Sequence, residues 1–297
     1  MQSLDFSCRC VVFSHWLLRW RSSSPSLSVH GSAVTPLQRH TIMQLTSCFE
    51  NSTPEIQYGY CENIGDGRGY TAGEAGFTTG THDLLQVVTL YTQREPDNTL
   101  AQFLPALIAV DGTNSTAGLD GLCGNWSLAA ASDPGFRQVQ DDVTDLLYFN
   151  PSQKYADQLG LALPLSRGQM YDAIIQHGDG DDPDSIGALI KGTSAQLHGS
   201  PATNPAVTEQ QWVELFFTTR IADLLNASDP ATEPAWAQSV DRVYCYQRIA
   251  ATDNWQLALP FNITAYGQPF TLTNDTLSSG DMDSEDRFLE PLQQPLF

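Results

Sequence analysis

The sequence predicts an α+β fold that is mainly helical. Apolar residues recur at helical spacing over most of residues 44–260, and a glycine-rich interval over 63–81 interrupts this pattern. The chain has 297 residues, of which 41% are hydrophobic and 10% aromatic, which suffices for a sizeable core. No stretch approaches about 18 consecutive apolar residues, so the sequence predicts no transmembrane helix.

Four segments predict amphipathic helices. In the first, Leu84, Val88 and Tyr91 fall on one helical face. Two Asp-Pro pairs, at Asp133 and Asp229, are typical of the approach to a helix. The predicted helical segments are 82–92, 136–148, 210–226 and 235–250.

The glycine-rich interval predicts short strands joined by tight turns. It is not a phosphate-binding loop, because no Gly-Lys-Ser/Thr follows. It also lacks the strand and helix context of a dinucleotide fingerprint. Its glycines are Gly65, Gly67, Gly69, Gly73, Gly76 and Gly80.

The two ends of the chain differ in composition from its middle. Residues 1–43 are predicted to be a leader or a poorly ordered segment, in which His15 and Arg19 interrupt the one apolar stretch and make a poor secretion signal. The native start could lie near Met43. Residues 44–273 form the predicted folded domain, and residues 274–297 are predicted to be a disordered acidic tail.

The charge balance narrows the choice of partners. The formal net charge is −20, from 34 acidic and 14 basic residues. Such a surface repels phosphate backbones, so no nucleic-acid partner is expected, and it attracts a polycation. Solubility in acidic surroundings is the alternative explanation of the acidity.

Sequons and cysteines favour secretion despite the poor leader. Cys48, Cys61, Cys123 and Cys245 would form two disulfides in one of three pairings, or remain four buried thiols. No metal site is expected, because zinc spacing is absent and the acidic run at 179–184 departs from a calcium loop. Six Asn-x-Ser/Thr sequons occur, at Asn51, Asn114, Asn125, Asn226, Asn262 and Asn274.

Two carboxylates suggest cleavage of a glycosidic bond. Glu50 lies at the end of a predicted helix beside Cys48 and Phe49, and Asp66 follows in a glycine-rich turn beside Arg68. An apolar setting suits a protonated general acid, whereas the turn suits an ionised partner. By itself this signal is weak in a chain with 34 acids.

Several longer phrases strengthen that interpretation. The phrases are Glu50-Asn51-Ser52, Glu62-Asn63-Ile64-Gly65-Asp66-Gly67-Arg68-Gly69-Tyr70-Thr71, Gly76-Phe77-Thr78-Thr79-Gly80-Thr81-His82-Asp83, Glu95-Pro96-Asp97-Asn98, Phe103-Leu104-Pro105-Ala106-Leu107, Tyr171-Asp172-Ala173-Ile174 and His177-Gly178. They closely resemble the chitosanases of glycoside hydrolase family 46, and the similarity runs in one order from about residue 44 to 273.

The resemblance implies a lysozyme-like fold, in which two mainly helical lobes flank a cleft with a small sheet on one wall. It implies endo hydrolysis of β-1,4 links in chitosan with inversion and without a cofactor. Glu50 would be the general acid and Asp66 the general base, with Thr71 holding the attacking water. Inversion requires the carboxyl groups to be roughly 6.5–9.5 Å apart.

The resemblance also implies residues that bind the substrate. Asp83 matches an acid that grips a glucosamine ammonium group, and this suits a cationic polymer better than neutral chitin. The further cleft positions are Ser52, Tyr60, Arg68 and Thr81. A glycan on Asn51 would block this cleft, so we expect Asn51 to be unmodified.

Three charged residues interrupt apolar helical patterns. A lone buried charge is costly, so Asp172 is expected to pair with Arg220 and Arg242. The family has such a network beneath its acid, which implies that these residues orient Glu50. A purely structural salt bridge is the alternative.

Other functions stay open from the sequence. The chain could be a catalytically idle protein that binds a polycationic sugar, or a secreted effector that uses the same cleft. A lysozyme- or chitinase-like specificity is the alternative among enzymes. In each case we expect a secreted monomer without a membrane partner.

Overall fold

The structure, a computed structural model, describes residues 34–230 and 232–274. The predicted leader up to residue 33 and the tail from residue 275 lie outside these described residues. Helix α1 spans Pro36–Glu50 and begins inside the segment that the sequence analysis assigned to the leader. It begins there because Thr35 and Gln38 form a reciprocal capping box and Pro36 occupies the first turn.

The smaller of two lobes has its own hydrophobic core, built from residues between 72 and 143. Trp126 and Phe136 meet edge-to-face at its centre, with ring centroids 4.9 Å apart. Helix α5 continues without a break into one π-helical turn, Asp145–Phe149. The elements of this lobe are β1 (Cys61–Glu62), β2 (Thr71–Ala72), β3 (Phe77–Thr78), α2 (Asp83–Arg94), α3 (Leu104–Val110), α4 (Leu122–Ser132) and α5 (Pro134–Thr144).

The larger lobe is built around α7, all 14 residues of which are buried. Its core combines α1 with residues from 149 to 272. Among the helices described, none has the length and apolar character needed to cross a membrane. The further elements of this lobe are α6 (Asn150–Leu159), α7 (Pro164–His177), α8 (Ile186–Gln196), α9 (Glu209–Leu224), α10 (Glu233–Gln238), α11 (Asp241–Ala251), β4 (Phe261–Ala265) and β5 (Gln268–Leu272).

The structure confirms the mainly helical α+β class, and α2, α5 and α9 match predicted segments. The single helix predicted over 235–250 is wrong, because α10 and α11 are separate. The chain turns at Ser239, whose hydroxyl donates to the Trp236 carbonyl (2.7 Å) and accepts from the Gln176 amide (3.0 Å). Such side-chain bonds to the backbone compete with a continuing helix.

The glycine-rich interval contains the short strands β2 and β3, as predicted, and they join β1 in a three-stranded antiparallel sheet in the order β1-β2-β3. Thr71 lies on the central strand and pairs with Glu62 and Thr78. Gly73 follows β2 at φ +73°, where an added Cβ would lie 2.4 Å from Gln140 Oε1 and 2.9 Å from the Phe77 and Trp126 rings. The turn that ends β2 therefore requires glycine.

The sequence analysis missed the hairpin of β4 and β5. Its two turn residues, Tyr266 and Gly267, have φ +47° and +78°, the signs of a type I′ turn. Asp241 anchors the turn by accepting a hydrogen bond from the Tyr266 backbone N–H. An aromatic-glycine pair is a weaker turn signal than Asn-Gly, which explains the omission.

The prediction of two disulfides is wrong for the described residues. Cys61 and Cys123 form one disulfide, which joins β1 to α4, while Cys48 and Cys245 are free thiols. Both free thiols pack in the core of the larger lobe, and burial raises the pKa of each to about 12. They act there as small apolar side chains.

Removing the disulfide should lower the free energy of unfolding. The bond closes a sequence separation of 62 residues, so we expect Cys61→Ser with Cys123→Ser to cost about 2–4 kcal/mol, chiefly through the unfolded chain. Denaturant unfolding with and without reductant measures this. Reductant should destabilise only the wild type; equal stability of wild type and double variant would contradict the expectation.

Candidate active site

Glu50 is the last residue of α1, and its side chain is 20% exposed. The helix ends here because Ser52, two residues later, adopts a left-handed φ of +55°. Arg242 Nη1 donates to Glu50 Oε1 at 2.8 Å. The same guanidinium lies over the ring of the buried Phe49, 6.0 Å from its centroid. The carboxyl group thus has one charged donor beneath it and an exposed side.

A buried ion network supports this arginine. Asp172 on α7 accepts from Arg220 Nη1 at 2.6 Å and from Arg242 Nη2 at 2.8 Å, and all three side chains are at most 1% exposed. Burial alone would raise the pKa of Asp172, but Arg242 and Arg220 outweigh it and lower the pKa to about 2. The three charges therefore satisfy one another, as the sequence pattern suggested.

The network continues beyond Arg220 to His177, at the end of α7. Arg220 Nε donates to His177 Nε2 at 3.0 Å, so the proton of the neutral ring lies on Nδ1, which donates to the Asp184 carbonyl at 3.0 Å. Burial and the Arg220 charge lower the pKa of His177, which keeps the ring neutral. The sequence analysis did not place His177 in this network.

Asp66 lies in the loop before β2 and forms an ion pair with Arg68 of the same loop. Arg68 donates to it from the backbone N–H (3.1 Å), from Nε (2.8 Å) and from Nη2 (2.6 Å). The loop is fixed to the sheet, because Gly80 N–H and the Thr79 hydroxyl both donate to the Arg68 carbonyl. Three donors from one residue therefore fix the orientation of the Asp66 carboxylate.

Thr71 and Asp83 lie on the sheet side of the site. Thr71 is 7% exposed, and its hydroxyl has no hydrogen-bond partner among the described residues. Asp83 begins α2, and its Oδ1 accepts from Thr78 N–H (2.7 Å), the Thr81 hydroxyl (2.8 Å) and Leu84 N–H (3.0 Å). Burial raises the pKa of Asp83 despite these bonds.

The other residues predicted from the sequence lie at the edges of these groups. Ser52 is exposed just past Glu50, and the Tyr60 hydroxyl donates to Glu62 at 3.2 Å. Sequence reasoning missed Tyr148 in the π-helical turn. Burial and the Asp83 charge raise the pKa of Tyr148, whereas the Arg68 charge opposes this rise. Because both charges act on it, the Tyr148 phenol lies near Asp83 and Arg68, two residues predicted to bind the substrate.

The remaining candidates are structural. Trp126, Trp212, Trp236 and Trp255 are all buried in the cores of the two lobes. In the acidic run, Asp184 Oδ2 accepts from both the backbone and the hydroxyl of Ser228. Across residues 34–230 and 232–274, no three His, Cys, Asp or Glu side chains are grouped so that they could hold a metal ion.

Comparison with known proteins gives concordant results. The sequence profile of glycosyl hydrolase family 46 matches residues 44–261. The chitosanase of Bacillus subtilis (strain 168) is 41% identical over 265 residues, which are 89% of this chain and 95% of that protein. The chitosanase of Streptomyces sp. (strain N174) is 38% identical over 243 residues, 80% of this chain and 83% of that protein.

Solved structures show the same similarity. The native chitosanase from Bacillus subtilis MY002 superposes with a TM-score of 0.70 at 43% identity, covering 80% of this chain and 98% of that one. The family 46 chitosanase of Gynuella sunshinyii, solved with chitotetraose, gives a TM-score of 0.71 at 43% identity and the same coverage.

Proposed function

Since the chain belongs to glycosyl hydrolase family 46, we propose that it cleaves the β-1,4 links of chitosan within the polymer and inverts the anomeric centre. The observation that carries the residue assignment is the contrast between two carboxyl groups. Glu50 accepts one hydrogen bond from a guanidinium that also binds Asp172, whereas Asp66 accepts three hydrogen bonds from Arg68. Two carboxyl groups in different settings suit an acid and a base.

In this mechanism Glu50 is the general acid. Its proton passes to the glycosidic oxygen as the bond from that oxygen to the anomeric carbon breaks. The carboxylate left on Glu50 keeps its hydrogen bond from Arg242, which is itself held by Asp172. The ion network therefore orients the acid and stabilises its ionised product.

Asp66 is the general base on the opposite face of the sugar. A water oxygen attacks the anomeric carbon while Asp66 accepts one of its protons. The Thr71 hydroxyl, which has no hydrogen-bond partner among the described residues, lies on the strand that follows this loop and supplies a hydrogen bond to the water. The hydrogen bonds from Arg68 hold the Asp66 carboxylate in position.

Asp83 accounts for the choice of a cationic polymer. The described hydrogen bonds of its carboxylate all reach Oδ1, which leaves Oδ2 for a glucosamine ammonium group. The net charge of −20 attracts the polymer over longer distances. Neither the Asp83 carboxylate nor the net negative charge would strengthen the binding of neutral chitin.

Replacing Asp83 by Asn should weaken binding more than chemistry. Loss of a charge-assisted bond to an ammonium group should raise KM about tenfold and leave kcat within about threefold. Because burial raises the pKa of Asp83, the wild-type KM should climb as the pH falls, while the variant KM stays high and flat. Steady-state kinetics on glucosamine oligomers measure both. Asp97→Asn, at an exposed position, is the control; equal KM in all three proteins would contradict the role of Asp83.

The proposed activity is tested on highly deacetylated chitosan. Viscosity should fall quickly and chromatography should show short oligomers, as an endo enzyme produces. Chitin and bacterial cell wall are assayed in parallel, because cleavage of these instead would indicate a chitinase- or lysozyme-like specificity. If the folded protein leaves all three intact, it is not a hydrolase of these polymers, and its cleft would have to be tested as a sugar-binding site.

The place of action is a further part of the proposal. We expect a secreted monomer, because the disulfide suits an oxidising compartment and the sequence carries six sequons. Detection of the protein in culture medium, together with sedimentation, checks both expectations.

A further inference from the structure

A small cavity lies against the inner side of Glu50. Its walls come from α1, from Asn51 just beyond it, and from Ile56, Glu74 and Tyr171, so residues of both lobes line it. It has room for about one water molecule. Its lining includes the polar side chains of Thr46 and Ser47 besides Glu50.

Glu74 reaches this cavity from the turn between β2 and β3. Both of its carboxyl oxygens are buried, and neither has a hydrogen-bond partner among the described residues. The turn is fixed, because Glu74 N–H donates to Gln140 Oε1 and Gly73 leaves no space for a side chain. A buried carboxyl group without a hydrogen-bond partner is unfavourable, and a water molecule in the cavity would supply that partner.

The surroundings of Glu74 favour its protonated form. Arg39 on α1 faces it, but this guanidinium already binds Asp145 at 2.6 Å and lies 3.9 Å from Asp141. Burial and the Asp141 charge raise the pKa of Glu74 well above its usual range, against the effects of Arg39 and of the nearby Thr144 hydroxyl, and Asp145 adds to the rise. The remaining neighbours are neutral: Thr144, whose hydroxyl makes no hydrogen bond of normal geometry with any described residue, and Tyr171 on α7.

We propose that Glu74 is a positioning residue for the proposed reaction. Its carboxyl group donates a hydrogen bond to one water in the cavity, and this water hydrogen-bonds Glu50. The acid then has a second partner besides Arg242, so its carboxyl group is held in a single orientation towards the leaving oxygen. The inference rests on the proposed function, and it deepens that function by adding a residue of the smaller lobe to the placement of the acid.

Two substitutions separate this role from a structural one. Glu74→Leu keeps the bulk but removes the donor, and should lower kcat about tenfold with KM unchanged. Glu74→Gln supplies a neutral donor of the same shape and should restore most of kcat. Glu214→Gln, at an exposed position of α9, is the matched control. A wild-type kcat in Glu74→Leu, or an equal loss in both Glu74 variants, would overturn the proposal.

A second readout does not depend on activity. Crystal structures of the wild type and Glu74→Leu should show an ordered water within hydrogen-bond distance of Glu50 and Glu74 in the wild type only. A wild-type cavity without this water overturns the role of Glu74 whatever the kinetics. If the wild type cleaves no chitosan, it is the proposed function that is contradicted. Thermal unfolding of each variant shows that it is folded.

Discussion

Glu50→Gln should reduce kcat/KM on chitosan by about 10²- to 10⁴-fold, because the amide has no proton of suitable acidity to give to the leaving oxygen. The fold should survive the change. The amide oxygen can still accept from Arg242, which is held by Asp172 in any case. Reducing-end release gives the rate, and circular dichroism with thermal unfolding shows that the variant is folded.

The matched control for this variant is Glu55→Gln. Glu55 is exposed and lies just beyond the end of α1, so the same chemical change occurs near the site without touching it. Its kinetics should equal those of the wild type. If Glu50→Gln kept more than a tenth of wild-type activity, Glu50 would not be the general acid.

Asp172→Asn should have the largest effect on stability. It leaves Arg220 and Arg242 buried without their carboxylate, which costs about 3–5 kcal/mol of unfolding free energy. A variant that does not fold at all would agree with this. Because the pKa of Asp172 is lowered to about 2, its contribution is complete above its unfolded pKa and is lost as the pH falls towards 2.

Denaturant unfolding between pH 7 and pH 3 measures this contribution. The difference between wild type and Asp172→Asn should shrink as the pH falls. Asp157→Asn is the control, because Asp157 pairs with Arg167 but is 59% exposed. Exposed pairs contribute about 0–1 kcal/mol. Similar losses in the two variants would show that the Asp172 network is an ordinary ion pair.

The local features of this molecule were predictable from its sequence. Helical spacing predicted α2, α5 and α9, and clustered glycines predicted short strands, because both signals arise within a few residues. The ion network was predictable for another reason. A charged residue on an apolar helical face is costly to bury unless a residue of opposite charge pairs with it, and this applied to Asp172, Arg220 and Arg242.

Features that depend on tertiary packing could not be predicted from the sequence. Periodicity could not show that Ser239 interrupts a helix by bonding Gln176, or that two cysteines pack apart from the disulfide. The position of Glu74 is a further example. In the sequence it is one acid in a turn, and its burial follows only from the meeting of two lobes.

The anomeric form of the first product tests the central claim most directly. Proton NMR of a glucosamine oligomer, recorded in the first minutes of cleavage, distinguishes the two anomers before they equilibrate. An acid and a base on opposite faces of the sugar predict that the α-anomer forms first from a β-linked substrate. If the β-anomer forms first, the reaction retains configuration, and Asp66 cannot be acting as a base that activates water.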